Sequence, residues 1–149
     1  MGLLTGLLTA CSGFLLAVLW MDLIFDTQIR GDQQSALPSI AGYYRRATTT
    51  SQPMGRLIAA VMVVLLGVLA VEAFVGDSPG WLIAVSALLA SGPVTLALTR
   101  TVPNAVRLGR RTDTVAEQAR LARAIYRDHL VCAVSMLAFL VLWLAWLGR

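Results

Sequence analysis

The chain has 149 residues, 58% of them hydrophobic and 13% charged, with a mean hydropathy of +0.75. Soluble domains are about 45–50% apolar and about 25% charged, so a water-soluble fold of this length is excluded. The net charge of +4 comes from Arg alone, since the chain contains no Lys. Without a zinc, helix-turn-helix or aromatic-basic motif, that charge points to membrane orientation and away from nucleic acid.

A helix crosses the hydrocarbon core with about 20 mainly apolar residues. Segments of that kind predict spans at about residues 3–25, 57–75, 80–99 and 130–147, joined by long loops at 26–56 and 100–129. Strand-type alternation is absent, which excludes a barrel. Residues 1–21 carry no charged side chain, and Leu8-Thr9-Ala10-Cys11 resembles a lipobox. There is no basic n-region or cleavage site leading into a polar chain, so this segment is expected to remain as span 1. It runs into WMDLIFDTQ, where Asp22 and Asp26 share one helix face at i,i+4. Two close carboxylates can hold a divalent cation or raise one another's pKa for acid/base work. The bland alternative is that both pair with loop arginines at the interface.

The first long loop holds Arg30, Arg45, Arg46 and Arg56. Residues 38–48 (PSIAGYYRRAT) predict a short helix with Pro38 in its first turn. Ile40, Tyr43 and Tyr44 would face the membrane as an anchor, and Arg45 and Arg46 its phosphates. Span 2 contains Glu72 near its far end, expected to reach water. The 76–80 connection carries Asp77 and no basic residue. Pro93 is expected to kink span 3, and Gly13, Gly67 and Gly92 to let helices approach closely.

The second long loop holds Arg100, Arg107, Arg110, Arg111, Arg120, Arg123 and Arg127. Topology and lipid phosphates account for Arg107, Arg110 and Arg111, with an anionic substrate as the alternative. Thr114-Val-Ala-Glu117 fits a capping box, and no breaker intervenes before Gly148. One long helix is therefore predicted from near Thr114 to the end of span 4. Eleven of the twelve Arg fall in the two long loops. The positive-inside rule makes that side cytoplasmic, with both termini on the other side of a plasma (inner) membrane. Trp81, Trp143 and Trp146 suit an interfacial belt at the outer boundary. Cys11 and Cys132 then lie towards opposite faces, so no disulfide is expected.

These elements predict an all-α, four-helix transmembrane bundle of two hairpins, a single domain over 1–149. Short amphipathic helices would lie on its cytoplasmic side. The repeated span–loop–span plan fits either a parallel duplication or ordinary hairpin packing.

His129, the only histidine, stands beside Asp128 where the long helix enters span 4. With Asp22 and Asp26 it gives a carboxylate–imidazole set that could relay a proton or ligate a metal. A lone His is a poor metal signature, so neither a metal nor a cofactor is assigned. The stretch Thr101-Val-Pro-Asn-Ala-Val-Arg-Leu108, followed by an acidic residue and an Ala/Arg-rich helix through Ala124-Ile-Tyr-Arg-Asp-His-Leu-Val131, resembles the anthrone-oxygenase-like proteins. These are small four-span membrane proteins, a few of them linked to oxygenation of polycyclic anthrones without an evident metal or flavin. The resemblance covers residues 93–147, with Pro103, Asn104, Arg107, Tyr126 and His129 matching best. Cys132 replaces an expected basic residue, and WMDLIFDTQ lies outside the pattern.

An enzyme of this type would take a lipophilic substrate at the cytoplasmic interface. Asp22, Asp26 and His129 would be its acid/base groups, and Asn104, Arg107 and Tyr126 would position substrate. Two other classes stay open: an accessory or assembly subunit of a larger membrane complex, and a transporter or channel subunit. The expected partners are membrane lipids, with a homo-oligomer or larger complex possible. An enzyme requires an apolar pocket with Asp22 and His129 on its wall, whereas a transporter requires a polar cavity reaching the midplane.

Overall fold

A computed structural model describes residues 2–148. Six α-helices follow in chain order: α1 (Gly2–Asp26), α2 (Gln33–Thr48), α3 (Gln52–Val75), α4 (Gly80–Leu96), α5 (Val102–Arg110) and α6 (Val115–Leu147). A 3₁₀ turn, Thr27–Arg30, extends α1, and a π-helical turn, Ala97–Thr101, joins α4 to α5. Four helical stretches are long and apolar enough to cross a membrane: Gly2–Arg30, Pro53–Val75, Gly80–Arg110 and Val115–Leu147. The chain is a multi-pass membrane protein with an all-α four-helix bundle fold.

The bundle closes as a ring. α1 packs on α3 and α6, and α4 packs on the same two helices, while among the described residues the diagonal pairs bring no Cα atoms within 8 Å. Successive spans alternate in direction, so ring neighbours are antiparallel throughout. Only 17–22% of each span's most apolar window is buried inside the protein. The remaining Val, Leu and Phe surface, including Val63, Phe74, Leu88 and Val134, is exposed and suited to lipid.

Two cores result. The first lies within the bundle, around Leu8, Leu65, Leu69, Leu82, Phe139 and Trp143. Trp143, expected in an interfacial belt, is instead fully buried, and its Nε1–H donates to Ser86 Oγ at 3.0 Å. Trp81 is exposed and Trp146 half-buried. Glu72, expected to reach water, is also buried and accepts from Ser78 Oγ at 2.6 Å. The hydroxyl comes from the short turn itself, which folds back over the carboxylate. Cys11 and Cys132 are both free thiols.

The second core lies at the arginine-rich end and overturns the expected membrane-surface role of the first loop. Asp32 caps α2, its Oδ2 accepting from Ser35 N at 3.2 Å and its carbonyl from Ala36 N at 3.0 Å. That cap starts the helix five residues before Pro38. Ala36, Leu37, Ile40, Ala41 and Tyr44 form a helical stripe that packs against Ala105 and Leu108 of α5 and Ala119, Ala122 and Ile125 of α6. The apolar face of α2 thus covers protein, while Arg45 and Arg46 are exposed.

The third span also runs on where a loop was expected. Pro93 leaves Ala97 N–H bonding to both Pro93 and Val94 carbonyls, and the π turn follows. A π turn absorbs one extra residue without ending the helix. Arg111, at φ 56°, then stops α5. Thr114 opens α6, its Oγ1 accepting from Glu117 N at 3.3 Å, which is one half of the predicted capping box; the Glu117 carboxylate pairs instead with Arg120 and Arg107. At about 1.5 Å per residue its 33 residues span ~50 Å, well beyond the ~30 Å hydrocarbon core.

Close helix approach occurs at an unexpected glycine. A Cβ built at Gly13, Gly67 or Gly92 would meet nothing within 4 Å, whereas one at Gly109 would lie 2.9 Å from the Arg45 backbone nitrogen. The α2–α5 crossing therefore depends on Gly109. Gly109→Ala is predicted to destabilise the protein by about 1–3 kcal/mol. Gly67→Ala, on an open helix face, should be neutral or stabilising by up to about 1 kcal/mol. Thermal unfolding in detergent checks the pair, and equal effects would remove the special role of Gly109.

A candidate acid–base site beneath the arginine-rich end

The i,i+4 spacing of Asp22 and Asp26 places both carboxylates on one face of α1, and α2 and α6 meet that face. Asp26 is 1% exposed and bridges both partners. Its Oδ1 accepts from Tyr44 Oη at 2.5 Å and its Oδ2 lies 2.6 Å from His129 Nδ1. Asp22 Oδ1 accepts from Tyr43 Oη at 2.5 Å, and its Oδ2 stands 3.9 Å from His129 Nε2. The two carboxylates therefore engage tyrosines and the histidine, not loop arginines. Tyr43 is held in place by a parallel stack on Phe25, with ring centroids 4.1 Å apart.

The network specifies the imidazole's orientation. With Asp26 ionised, Nδ1 carries the proton that it shares with Oδ2, which turns Nε2 towards Asp22. Asp–His pairs of this kind hold an imidazole in one tautomer and rotamer for proton transfer. Beside it, Asp128 accepts from Thr101 Oγ1 at 3.4 Å and pairs with Arg100 at 3.6 Å. That contact ties the π turn to α6. Among the described residues, every buried side-chain nitrogen and oxygen has a hydrogen-bond partner.

A cavity of about 190 Å³ opens from this cluster into the bundle. Asp22 and His129 lie on its wall, together with Thr101 and Cys132; the rest of the lining is apolar and comes from all four spanning helices. From Asp22 to Leu15 the α1 wall covers ~10 Å of helix rise. Asp26 does not line the cavity and sits behind the imidazole. Residues 16–25, 53–64 and 91–100, which flank the cavity, include no buried residue.

The structure brings Asp22, Asp26 and His129 together, but not the other three candidates. Asn104 is half-buried on α5, away from the cavity lining. Arg107 bonds Asp113 through Nε at 3.0 Å and Nη2 at 2.8 Å, and contacts Glu117 at 3.1 Å. Tyr126 faces a separate groove on the other side of α6. Asp26, Tyr44 and His129 mutually saturate one another, and no described group of three or more His, Cys, Asp and Glu is arranged to hold a metal ion. Sequence reasoning missed Tyr43 and Tyr44 as carboxylate partners, and Thr101 and Cys132 as lining. The stripe 36/37/40/41/44 was the available signal for Tyr44, since it puts that ring on the packed face of α2.

Burial, and then the neighbouring carboxylates, push both tyrosine hydroxyls well above their ordinary value. An unfolded chain releases these protons near pH 10, while the folded protein keeps them. Their stabilisation is therefore complete below about pH 10 and declines as pH rises further. The unfolding midpoint in detergent should fall between pH 10 and 11.5, and less steeply in Tyr44→Phe. Parallel slopes in the two proteins would refute the assignment.

No protein-family model matches the chain, no curated protein is similar to it, and no solved structure matches it.

Proposed function

We propose that this protein is a membrane-embedded enzyme that moves a proton to or from a lipophilic substrate held in the bundle cavity. The observation that carries the proposal is His129, oriented by buried Asp26 and facing an apolar cavity beside Asp22. His129 Nε2 acts as the general base, and the Asp22 carboxylate, 3.9 Å away, stabilises the imidazolium that forms. Asp26 and Tyr44 are positioning residues, because they reach the cavity only through the imidazole. Efficient proton transfer needs a donor and acceptor of this kind within hydrogen-bond reach of the substrate.

The reaction class we favour is the one that the anthrone-oxygenase-like resemblance implies. A ring CH₂ activated by a neighbouring carbonyl loses a proton to His129, and the carbanion takes up dioxygen. Loss of water from the resulting peroxide leaves a carbonyl, so that CH₂ and O₂ become C=O and H₂O. One feature supports this over a transport role: the cavity is apolar beyond its inner wall. At about 190 Å³ it suits a small flat ligand, being below the ~300–1,000 Å³ usual for drug-sized molecules. In the proposed orientation the arginine-rich end is cytoplasmic, both termini lie across the plasma membrane, and substrate is taken from the inner leaflet.

Oxygen uptake and anthraquinone formation from anthrone, in detergent or proteoliposomes, test the proposal. Wild-type protein should exceed the autoxidation background. His129→Ala should return to that background, and Asp26→Asn should lose about 10²–10⁴-fold in rate. Ile58→Trp, which fills the cavity from its half-buried rim, should block anthrone binding with little effect on folding. Wild-type turnover at background would sink the oxygenase assignment. Unchanged turnover in His129→Ala would sink the acid–base role.

A further inference from the structure

On the other side of α6 from the cavity, a groove of about 420 Å³ is lined by Ile29, Arg30, Arg120, Arg123, Tyr126 and Arg127. Four arginine residues from two elements line it. Arg120, Arg123 and Arg127 follow at i+3 and i+7, one stripe along α6, and Arg30 closes it from the end of the 3₁₀ turn. Arg120 pairs with Glu117 at 2.6 Å. Among the described residues, Arg30, Arg123 and Arg127 have no ion pair, whereas Arg100 and Arg107 do. Orientation in a membrane needs positive charge on one side, but not its convergence in one groove. Like charges brought together repel, and an anion that they share relieves the repulsion.

We infer that this groove binds the phosphate group of an anionic phospholipid. Arg is suited to that role because its planar fork donates two parallel hydrogen bonds to phosphate oxygens. Depth selects a lipid over a soluble phosphate ester. Arg127 stands two residues from His129, level with the inner end of α1, and Arg120 lies ~10 Å farther out along the helix. The stripe therefore crosses the headgroup layer, ~5–8 Å thick on each side of the hydrocarbon core. Ile29 and Tyr126 offer apolar walls to the glycerol and the first acyl carbons. The site is independent of the acid–base cluster and shares no lining residue with the cavity.

Thermal unfolding of the full chain in neutral detergent, with dioctanoyl phosphatidylglycerol, dioctanoyl phosphatidylcholine or glycerol 3-phosphate added, tests the inference. The phosphatidylglycerol should raise the wild-type midpoint saturably, and the other two should not. Arg123→Gln/Arg127→Gln should abolish the shift, and Arg30→Gln alone should weaken it. Arg45→Gln/Arg46→Gln removes the same charge from an exposed pair on α2 and should keep it. The inference is overturned if wild type shows no shift, or if the Arg45/Arg46 variant loses it equally, which would mean diffuse charge alone. An equal shift with glycerol 3-phosphate would replace the lipid with a soluble phosphate ester and also overturn it.

Discussion

The carboxylate of Asp26 is the contact on which the arginine-rich half of the molecule depends. It joins α1, α2 and α6 by accepting from Tyr44 and pairing with His129. A polar group this deeply buried is tolerated only when its oxygens are engaged in hydrogen bonds. The demand works in both directions. Asp26 needs the tyrosine and the histidine, and their engagement seats α2 against the bundle. That seating is then completed by the Gly109 crossing and the apolar stripe around Ile40.

Mid-bundle, a different logic applies. Ser86 and Trp143 satisfy one another, and small or aliphatic side chains fill the space around them. The ring of four helices encloses an interior, and a cavity remains in it at one end. At the Glu72 end, Leu8, Leu69, Leu82 and Trp143 close it. Towards the arginine-rich end, residues 16–25, 53–64 and 91–100 include no buried residue, and the cavity remains. Asp22, Thr101, His129 and Cys132 mark one part of that cavity, and apolar side chains line the rest. An oriented imidazole is thereby set against an apolar space.

Much of this organisation was legible in advance, and the failures have identifiable causes. Span positions follow from uninterrupted apolar runs, and the cap at Thr114 from four consecutive residues. The pairing of Asp22 and Asp26 follows from helical spacing, and their convergence with His129 could be posed as a question because all three lie at one depth. Tyr43 and Tyr44 were assigned to the membrane surface because an amphipathic stripe cannot say whether it covers lipid or protein. Trp143 and Glu72 were placed by residue-type preference, which tertiary partners overrode. Gly13, Gly67 and Gly92 were chosen for their position within spans. Gly109, outside the apolar windows, carried no local sign of its role.

Composition and periodicity determined that this chain crosses a membrane four times and gathers its arginines at one end. Those properties depend on single segments: the hydropathy of each run, and the charge beside it. Tertiary structure alone decided that Asp26 sits behind His129 while Asp22 faces the cavity, that Asn104, Arg107 and Tyr126 lie elsewhere, and that Arg30 joins the stripe on α6. Such relations are set by the rotation of each helix about its axis and by how α2 docks. Neither quantity leaves a trace in the order of residues along one helix.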